Sequence, residues 1–231
     1  MQINSPEWRD LLSLQTGACH IGLDGMAIDL MVEFVSELIL WNKKTNLTAI
    51  TDPVQVLEKH IIDSLIPGKF IPANSSAIDI GTGGGFPGIP LKILMPSLPV
   101  SLVDSSRRKI NFLKYVIRIL NLKNISAYQY RVEELSNHPD FARQFDVVIS
   151  RAFTSLERSL GLAVSLMKPD GIIIAMKGKE VQKEIDELKK TKNRANPYQI
   201  NDHKFELQVE KYRLPISGDN RSLVIARNYF S

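Results

Sequence analysis

The residues best suited to chemistry in this chain lie in one stretch, "AIDIGTGGGFPGIP" at 77–90. A short apolar run ends in a glycine-dense loop, and glycine lets a ligand approach the backbone closely because it has no Cβ and reaches positive φ cheaply. Gly83 and Gly88 have the G-x-x-x-x-G spacing of a phosphate loop, but Ile89 and Pro90 stand where that loop needs Lys and Ser/Thr. Lacking both charge neutralisation and a Mg²⁺ ligand, the loop does not serve an NTPase. Gly83, Gly85 and Gly88 also satisfy G-x-G-x-x-G, and Asp104 ends the next apolar run 19 residues beyond Gly85. An acid there accepts ribose hydroxyls, which NAD and S-adenosylmethionine both carry. Pro87 and Pro90 each remove an amide that a pyrophosphate would use. The residues therefore favour a methyl-donating nucleoside over NAD, with a purely structural loop as the third alternative.

Missing groups narrow the methyl acceptor. Methylation at carbon 5 of a pyrimidine needs a cysteine nucleophile, and the single Cys19 lies far from the loop in a helical segment. Exocyclic-amine methylation uses an Asn/Asp-Pro-Pro-aromatic loop after the fourth strand, where this chain has "SRAFTS"; the nearest match, "NPY" at 196–198, reads as a turn. The four histidines are scattered without a Cys/His cluster, so no metal site is expected. What remains is basic. Arg131 in "RVEE", Arg151 in "SRAF" and Lys177 in "MKGKE" follow the third, fourth and fifth strands, which are expected to be adjacent. Together they would make a cationic rim suited to phosphate, although each taken singly fits a helix cap or an ion pair. His60, Asp63 and Ser64 fall within one helical turn, where surface or capping roles are the plain alternative.

These residues need elements to hold them. The 231 residues are 44% hydrophobic, enough for a real core. A net charge of +4 tilts the chain mildly toward a polyanionic partner. No apolar run reaches membrane-spanning length, the start has no signal-peptide pattern, and a lone cysteine suits a reducing cytoplasm. Residues 5–66 read as helical, with Leu23, Ala27, Leu30, Phe34, Leu38 and Trp41 on one apolar face. Asp52 and Pro53 open a further helix striped by Val54, Leu57, Ile61 and Leu65. The Pro/Gly/Ser-rich run at 67–76 separates an N-terminal helical extension (1–70) from an α/β domain (71–231). There, strands at 77–80, 100–104, 125–130, 145–150 and 171–176 alternate with helices, which predicts a mostly parallel sheet. Two further strand-like runs, 203–214 and 221–228, predict an antiparallel hairpin at its edge, and the lysine-dense run 177–194 reads as a solvated helix.

The segments "WNKKTNLTAITDP", "HIIDSL", "IDIGTGGGFPGIPL", "VDSSRRKINFL", "RVEEL" and "ISRAF", in this order, resemble the ribosomal RNA small subunit methyltransferase G family. That resemblance implies a class I, Rossmann-like S-adenosylmethionine-dependent methyltransferase acting on N7 of one guanine in small-subunit rRNA. It implies cofactor contacts at Gly81, Phe86, Val132, Glu133 and Arg151, beside Gly83, Gly85 and Asp104 from the motif itself. Guanine N7 has a lone pair and no proton, so no general base is required and alignment does the work. Arg151 is the strongest catalytic candidate, as a link between cofactor and RNA, with Arg131, His60 and Asp63 beside it; the Asp63 carboxylate would offset charge on the methylated purine. Phe86 would cover the adenosyl group and Phe153 would stack on guanine, with core packing the alternative for both. Lys43, Lys44, Arg107, Arg108, Lys109 and Lys177 are candidate RNA contacts. The expected partner is small-subunit rRNA or a 30S assembly particle, met by a cytoplasmic monomer with no membrane or metal partner. An NAD oxidoreductase and a non-catalytic RNA-binding protein are the competing classes.

Overall fold

The computed structural model describes residues 1–191, 198–200 and 203–229. Two helices lead, α1 (Pro6–Ala18) and α2 (Gly25–Thr45), the second capped by Asp24 accepting from the Ala27 amide at 2.7 Å. Ala27, Phe34 and Leu38 are buried as the periodicity predicts, joined by Met31, Val32 and Val35, whereas Leu30 and Trp41 are half-buried and Leu23 precedes the helix. A third rod, α3 (53–70), opens as expected, with Asp52 accepting from the Gln55 amide at 2.9 Å and Pro53 in the first position. It is not the uniform helix that its apolar stripe suggests. Pro53–Val56 is α-helical, Leu57–Ile62 is a π turn, Asp63–Leu65 returns to α and Ile66–Phe70 is 3₁₀. A π turn carries an extra residue per turn, so it rotates everything after it, and such turns recur at functional sites.

Five parallel strands follow: β1 (Ala77–Ile80), β2 (Val100–Asp104), β3 (Ile125–Gln129), β4 (Phe145–Arg151) and β5 (Met167–Lys177). Helices α4 (Gly88–Leu94), α5 (Arg107–Ile119), α6 (Leu156–Ala163) and α7 (Val181–Thr191) lie among them in sequence. The sheet continues antiparallel through β6 (Tyr198–Ile200), β7 (His203–Arg213) and β8 (Asn220–Asn228), in the order β3-β2-β1-β4-β5-β8-β7-β6. The hairpin of β7 and β8 joins the β5 edge as expected, and β6 is an additional short strand. Tyr198 of the "NPY" run opens that strand instead of lying in a turn, while Asn196 and Pro197 fall outside the described residues. Helix α7 is amphipathic, not solvated all round: Val181, Ile185 and Leu188 are buried.

Sheet order corrects one expectation. β3 is separated from β4 by β2 and β1, so Arg131 does not end a strand adjacent to those of Arg151 and Lys177. The order reverses between β1 and β4, and ligands in open α/β sheets bind at the carboxyl ends of strands at such a point. The glycine loop after β1 and Arg151 at the end of β4 both sit there.

Each sheet face carries its own core. Alternate strand residues such as Ile78, Val148 and Ile173 pack with α6 and α7, while Leu102, Val147 and Ile174 belong to the core that includes α1, α2 and α3. Phe34 of α2 is fully buried, its ring 5.2 Å from Phe86 of the glycine loop and 6.4 Å from Phe112 of α5. It couples the helical extension to the sheet. Phe34→Ala should lower unfolding free energy by about 3–5 kcal/mol in urea titration, the usual cost of removing a buried ring.

Candidate active site

Three left-handed glycines shape the loop after β1: Gly81 at φ +69°, Gly83 at +60° and Gly85 at +97°. Space is short as well, since a Cβ on Gly81 would lie 2.3 Å from Phe153 Cδ2. Beneath the loop, buried Asp79 accepts at Oδ2 from Thr82 Oγ1 (2.6 Å) and the Gly88 amide (2.9 Å). Its Oδ1 is buried without a partner among the described residues, and burial pushes its pKa up to about 6. Asp104, at the end of β2, accepts from the Gly83 amide at 3.0 Å, the Ser106 amide at 2.9 Å and Lys109 Nζ at 3.4 Å. A carboxylate has about four acceptor sites, so capacity remains for a ribose.

The start of α4 tests the pyrophosphate alternative. The Gly88 amide is taken by Asp79 and the Ile89 amide by the Gly85 carbonyl at 2.8 Å, and positions 87 and 90 are proline. These positions leave no amide to bind a pyrophosphate, so the loop fits a nucleoside without phosphates and disfavours NAD.

Two cavities meet at this loop and share Gly81 and Ala152. One, of about 480 Å³, is lined by Asp104, Tyr130, Arg131, Val132, Glu133 and Phe153. The other, of about 690 Å³, reaches from Gly83 and Phe86 past Arg151 to Lys59, His60, Asp63, Lys177, Tyr212 and Arg221.

Arg151 organises the larger cavity. Its Nη1 donates to the Lys59 carbonyl at 2.8 Å, its Nη2 lies 3.3 Å from His60 Nδ1, and the Asp63 carboxylate is 3.8 Å away. The guanidinium carbon stands 5.0 Å from the Phe86 ring centroid, and the His60 ring stacks on that same ring at 4.6 Å. His60 Nε2 is 2.7 Å from Thr48 Oγ1. Because Arg151 can only donate, His60 Nδ1 accepts and Nε2 carries the hydrogen toward Thr48. Burial, with the nearby Arg151 charge, pushes the His60 pKa down to about 3, so the ring is neutral. Burial raises the Asp63 pKa against the opposing pull of Tyr212, Arg151 and Arg221. Asp63 Oδ1 accepts from the Tyr212 hydroxyl at 2.7 Å and lies 3.9 Å from Arg221 Nε. Burial, reinforced by Asp63, raises the Tyr212 pKa.

The expected residues therefore divide. Arg151, His60, Asp63, Phe86 and Lys177 share one cavity; Arg131, Val132, Glu133 and Asp104 share the other. The proposed cationic rim does not form: Lys177 Nζ is bonded to Glu184 Oε2 (2.8 Å) and the Thr154 carbonyl (2.7 Å), with its side chain only 10% exposed. Lys177 is therefore not an open RNA contact, whereas Lys109 lies 3.4 Å from Asp104 with its side chain 34% exposed. Lys43, Lys44, Arg107 and Arg108 are exposed. The two arginines occupy the first turn of α5, where no acid is present and a cation opposes the helix dipole. At the wall of the larger cavity, Asp63 is bonded to Tyr212 and lies beside two arginines, and Phe86 packs against Phe34, His60 and Arg151. Phe153 lies over Gly81 in partial contact with the core. Sequence reading missed Thr48, Tyr212 and Arg221. Nothing local marks Tyr212 or Arg221 within the hairpin, although Thr48 falls inside one of the motif segments.

This sheet order and glycine site define a fold of S-adenosylmethionine-dependent methyltransferases. Among solved structures, the chain is similar to such a methyltransferase from Aquifex aeolicus (TM-score 0.55, 15% identity, covering 78% of this chain and 96% of that one). It is also similar to a predicted O-methyltransferase from Agrobacterium tumefaciens (TM-score 0.56, 16% identity, covering 73% and 81%). The model of the family described as rRNA small subunit methyltransferase G matches residues 27–210. Relatives bearing the name ribosomal RNA small subunit methyltransferase G include one from Geobacter sp. strain M21, 38% identical over 92% of this chain and 94% of that one. Another, from Acinetobacter baumannii strain SDF, is 43% identical over 92% and 95%. The chain belongs to this family of methyltransferases.

The neutral His60 has a measurable consequence. Its unfolded imidazole takes up a proton below about 6.5, while the folded one resists until about 3. The unfolded state therefore binds more protons as pH falls through that window, and stability is lost on acidification. In denaturant melts from pH 7 down to 5, wild type should lose stability relative to His60→Gln, with a slope approaching about 1.4 kcal/mol per pH unit below the unfolded pKa.

Proposed function

We propose that this protein transfers a methyl group from S-adenosylmethionine to N7 of a guanine in small-subunit rRNA, as a cytoplasmic monomer acting on the RNA or its assembly particle. The observation that carries the reading is that the larger cavity joins the glycine loop to a fixed arginine while offering no free base among the described residues. His60 is neutral and bonded on both nitrogens, and the carboxylates of Asp63 and Glu184 are engaged. Such a site suits an acceptor atom that has a lone pair and no proton to lose.

The residues present fit the cofactor. Asp104 would hold the ribose, the Gly81–Gly83 backbone permits close approach, and the Val132–Glu133 segment would border the adenosine end. When bound, S-adenosylmethionine supplies an electrophilic methyl group on a sulfonium. Arg151 positions: its fork is held by the Lys59 carbonyl, by His60 and by Asp63, at the junction of the nucleoside side and the acceptor side. Alignment of this kind contributes several kcal/mol, up to roughly 7–11 in favourable model systems. The helical extension (1–70) and the domain (71–231) act together in this reading, since Leu47, Thr48, Ile50, Lys59, His60 and Asp63 build the acceptor wall.

Mass mapping of small-subunit rRNA from cells with and without the protein tests the assignment; one guanine should lose a ring-nitrogen methyl group in its absence, and an unchanged map overturns the reading. With purified protein, Asp104→Ala should weaken S-adenosylmethionine binding in calorimetry by about 1.5–3 kcal/mol per charge-assisted bond lost. The single-turnover rate at saturation should stay flat from pH 6 to 9, because no group in the cavity has to titrate. Arg151→Lys, which keeps the charge but loses the planar fork, should slow that rate.

A further inference from the structure

The mouth of the larger cavity holds an ion cluster that methyl transfer leaves unused. Lys59 Nζ and Arg221 Nη2 reach the same oxygen of Asp219, at 3.6 and 3.5 Å. The two cations come from distant parts of the chain, the π turn of α3 and strand β8. Their side chains are 27% and 24% exposed, and that of Asp219 is 41% exposed. Solvent therefore reaches the cluster.

The fold does not need this carboxylate. The loop between β7 and β8 is pinned by Glu58 Oε1, which accepts from the Ile216 and Ser217 amides at 2.6 and 2.7 Å. The loop closes through its own backbone, with the Gly218 amide donating to the Leu214 carbonyl and the Leu214 amide to the Asp219 carbonyl, both at 3.0 Å. Arg221 is held independently, with Nε 3.9 Å from Asp63 and Nη1 donating to the Asn220 carbonyl at 3.2 Å. The Asp219 charge thus balances an arginine that is held without it and the lysine beside it, in partly exposed pairs of the sort that contribute little to stability. Arg221, Gly178 and Glu184 also line an adjoining cavity of about 440 Å³, so an open trough continues past the cluster.

A point charge from lysine beside an arginine fork, on a trough leading to the acceptor cavity, matches a phosphodiester better than a single carboxylate. We propose that Lys59 and Arg221 form a seat for one phosphodiester of the RNA substrate, and that Asp219 fills this seat until the RNA displaces it. The inference rests on the RNA reading above and adds to it a contact and an internal competitor. Asp219 acts as a gatekeeper, excluding weakly bound anions while yielding to an RNA that docks elsewhere at the same time.

The test measures binding of in vitro transcribed small-subunit rRNA and of 30S subunits to the full chain, across a salt series. Asp219→Asn should tighten binding roughly three- to tenfold by removing the competing charge. Lys59→Gln should weaken binding and make the log–log salt slope shallower by ~0.7, the share of one phosphate. In the Lys59→Gln background Asp219→Asn should gain less, because the two changes act on one seat. Asp219→Ser provides a second neutral form if the Asn variant melts early. A neutral variant that melts with wild type yet binds RNA no tighter refutes the seat alone. Wild type that binds rRNA no better than an unrelated RNA of equal length refutes the RNA reading, and the seat with it.

Discussion

A guanidinium held mostly out of water at the end of a β-strand has to be compensated on every side, and around Arg151 that compensation joins α3 and the glycine loop to β4. Leaving such a charge without partners costs several kcal/mol. The partners come from elsewhere: a carbonyl and an imidazole from α3, the Asp63 carboxylate from the same rod, and the face of Phe86 from the glycine loop. Three of these are themselves held by a further contact, Phe86 by Phe34, His60 by Thr48 and Asp63 by Tyr212. The geometry of the site is therefore set by the burial of one cation.

The π turn of α3 is where these demands converge. Within Leu57–Ile62 and the residue after it, Glu58 pins the hairpin loop, Lys59 offers its carbonyl to Arg151 and its ammonium to Asp219, His60 accepts from Arg151, and Asp63 takes the Tyr212 hydroxyl. A regular helix would spread these groups around its circumference at 100° per residue. The wider turn offers a different angular spacing, and both the sheet and the hairpin use it.

Three aspartates show how environment assigns roles to one side chain. Asp79 lies in the core with one oxygen that has no partner among the described residues, and burial makes it reluctant to ionise. Asp104 faces a cavity and holds two loop amides, which keeps its carboxylate beside the glycines. Asp63 is enclosed by a tyrosine and two arginines, so it anchors cations and is not a free acceptor. None of these arrangements resembles a base poised to take a substrate proton, which agrees with a reaction governed by positioning.

Short-range features were legible from the amino-acid order: β1 and β2 begin and end as their apolar runs do, Asp52 caps its helix, and the glycines adopt the left-handed angles that only they take easily. These depend on alternation, capping and backbone sterics within a few residues, and the motifs built on them carried the family resemblance. Strand order, the π turn and the partners of each cation were decided by tertiary structure. Arg131 looked like a neighbour of Arg151 because their strands are consecutive in sequence, and two other strands lie between them. Lys109 and Lys177 looked like surface cations until folding brought each within reach of a carboxylate. Tyr212 meets Asp63 across 149 residues of chain. Charge and hydrogen-bond partners are chosen by proximity in space, and for Tyr212 and Arg221 it is closure of the sheet and its hairpin over α3 that creates that proximity.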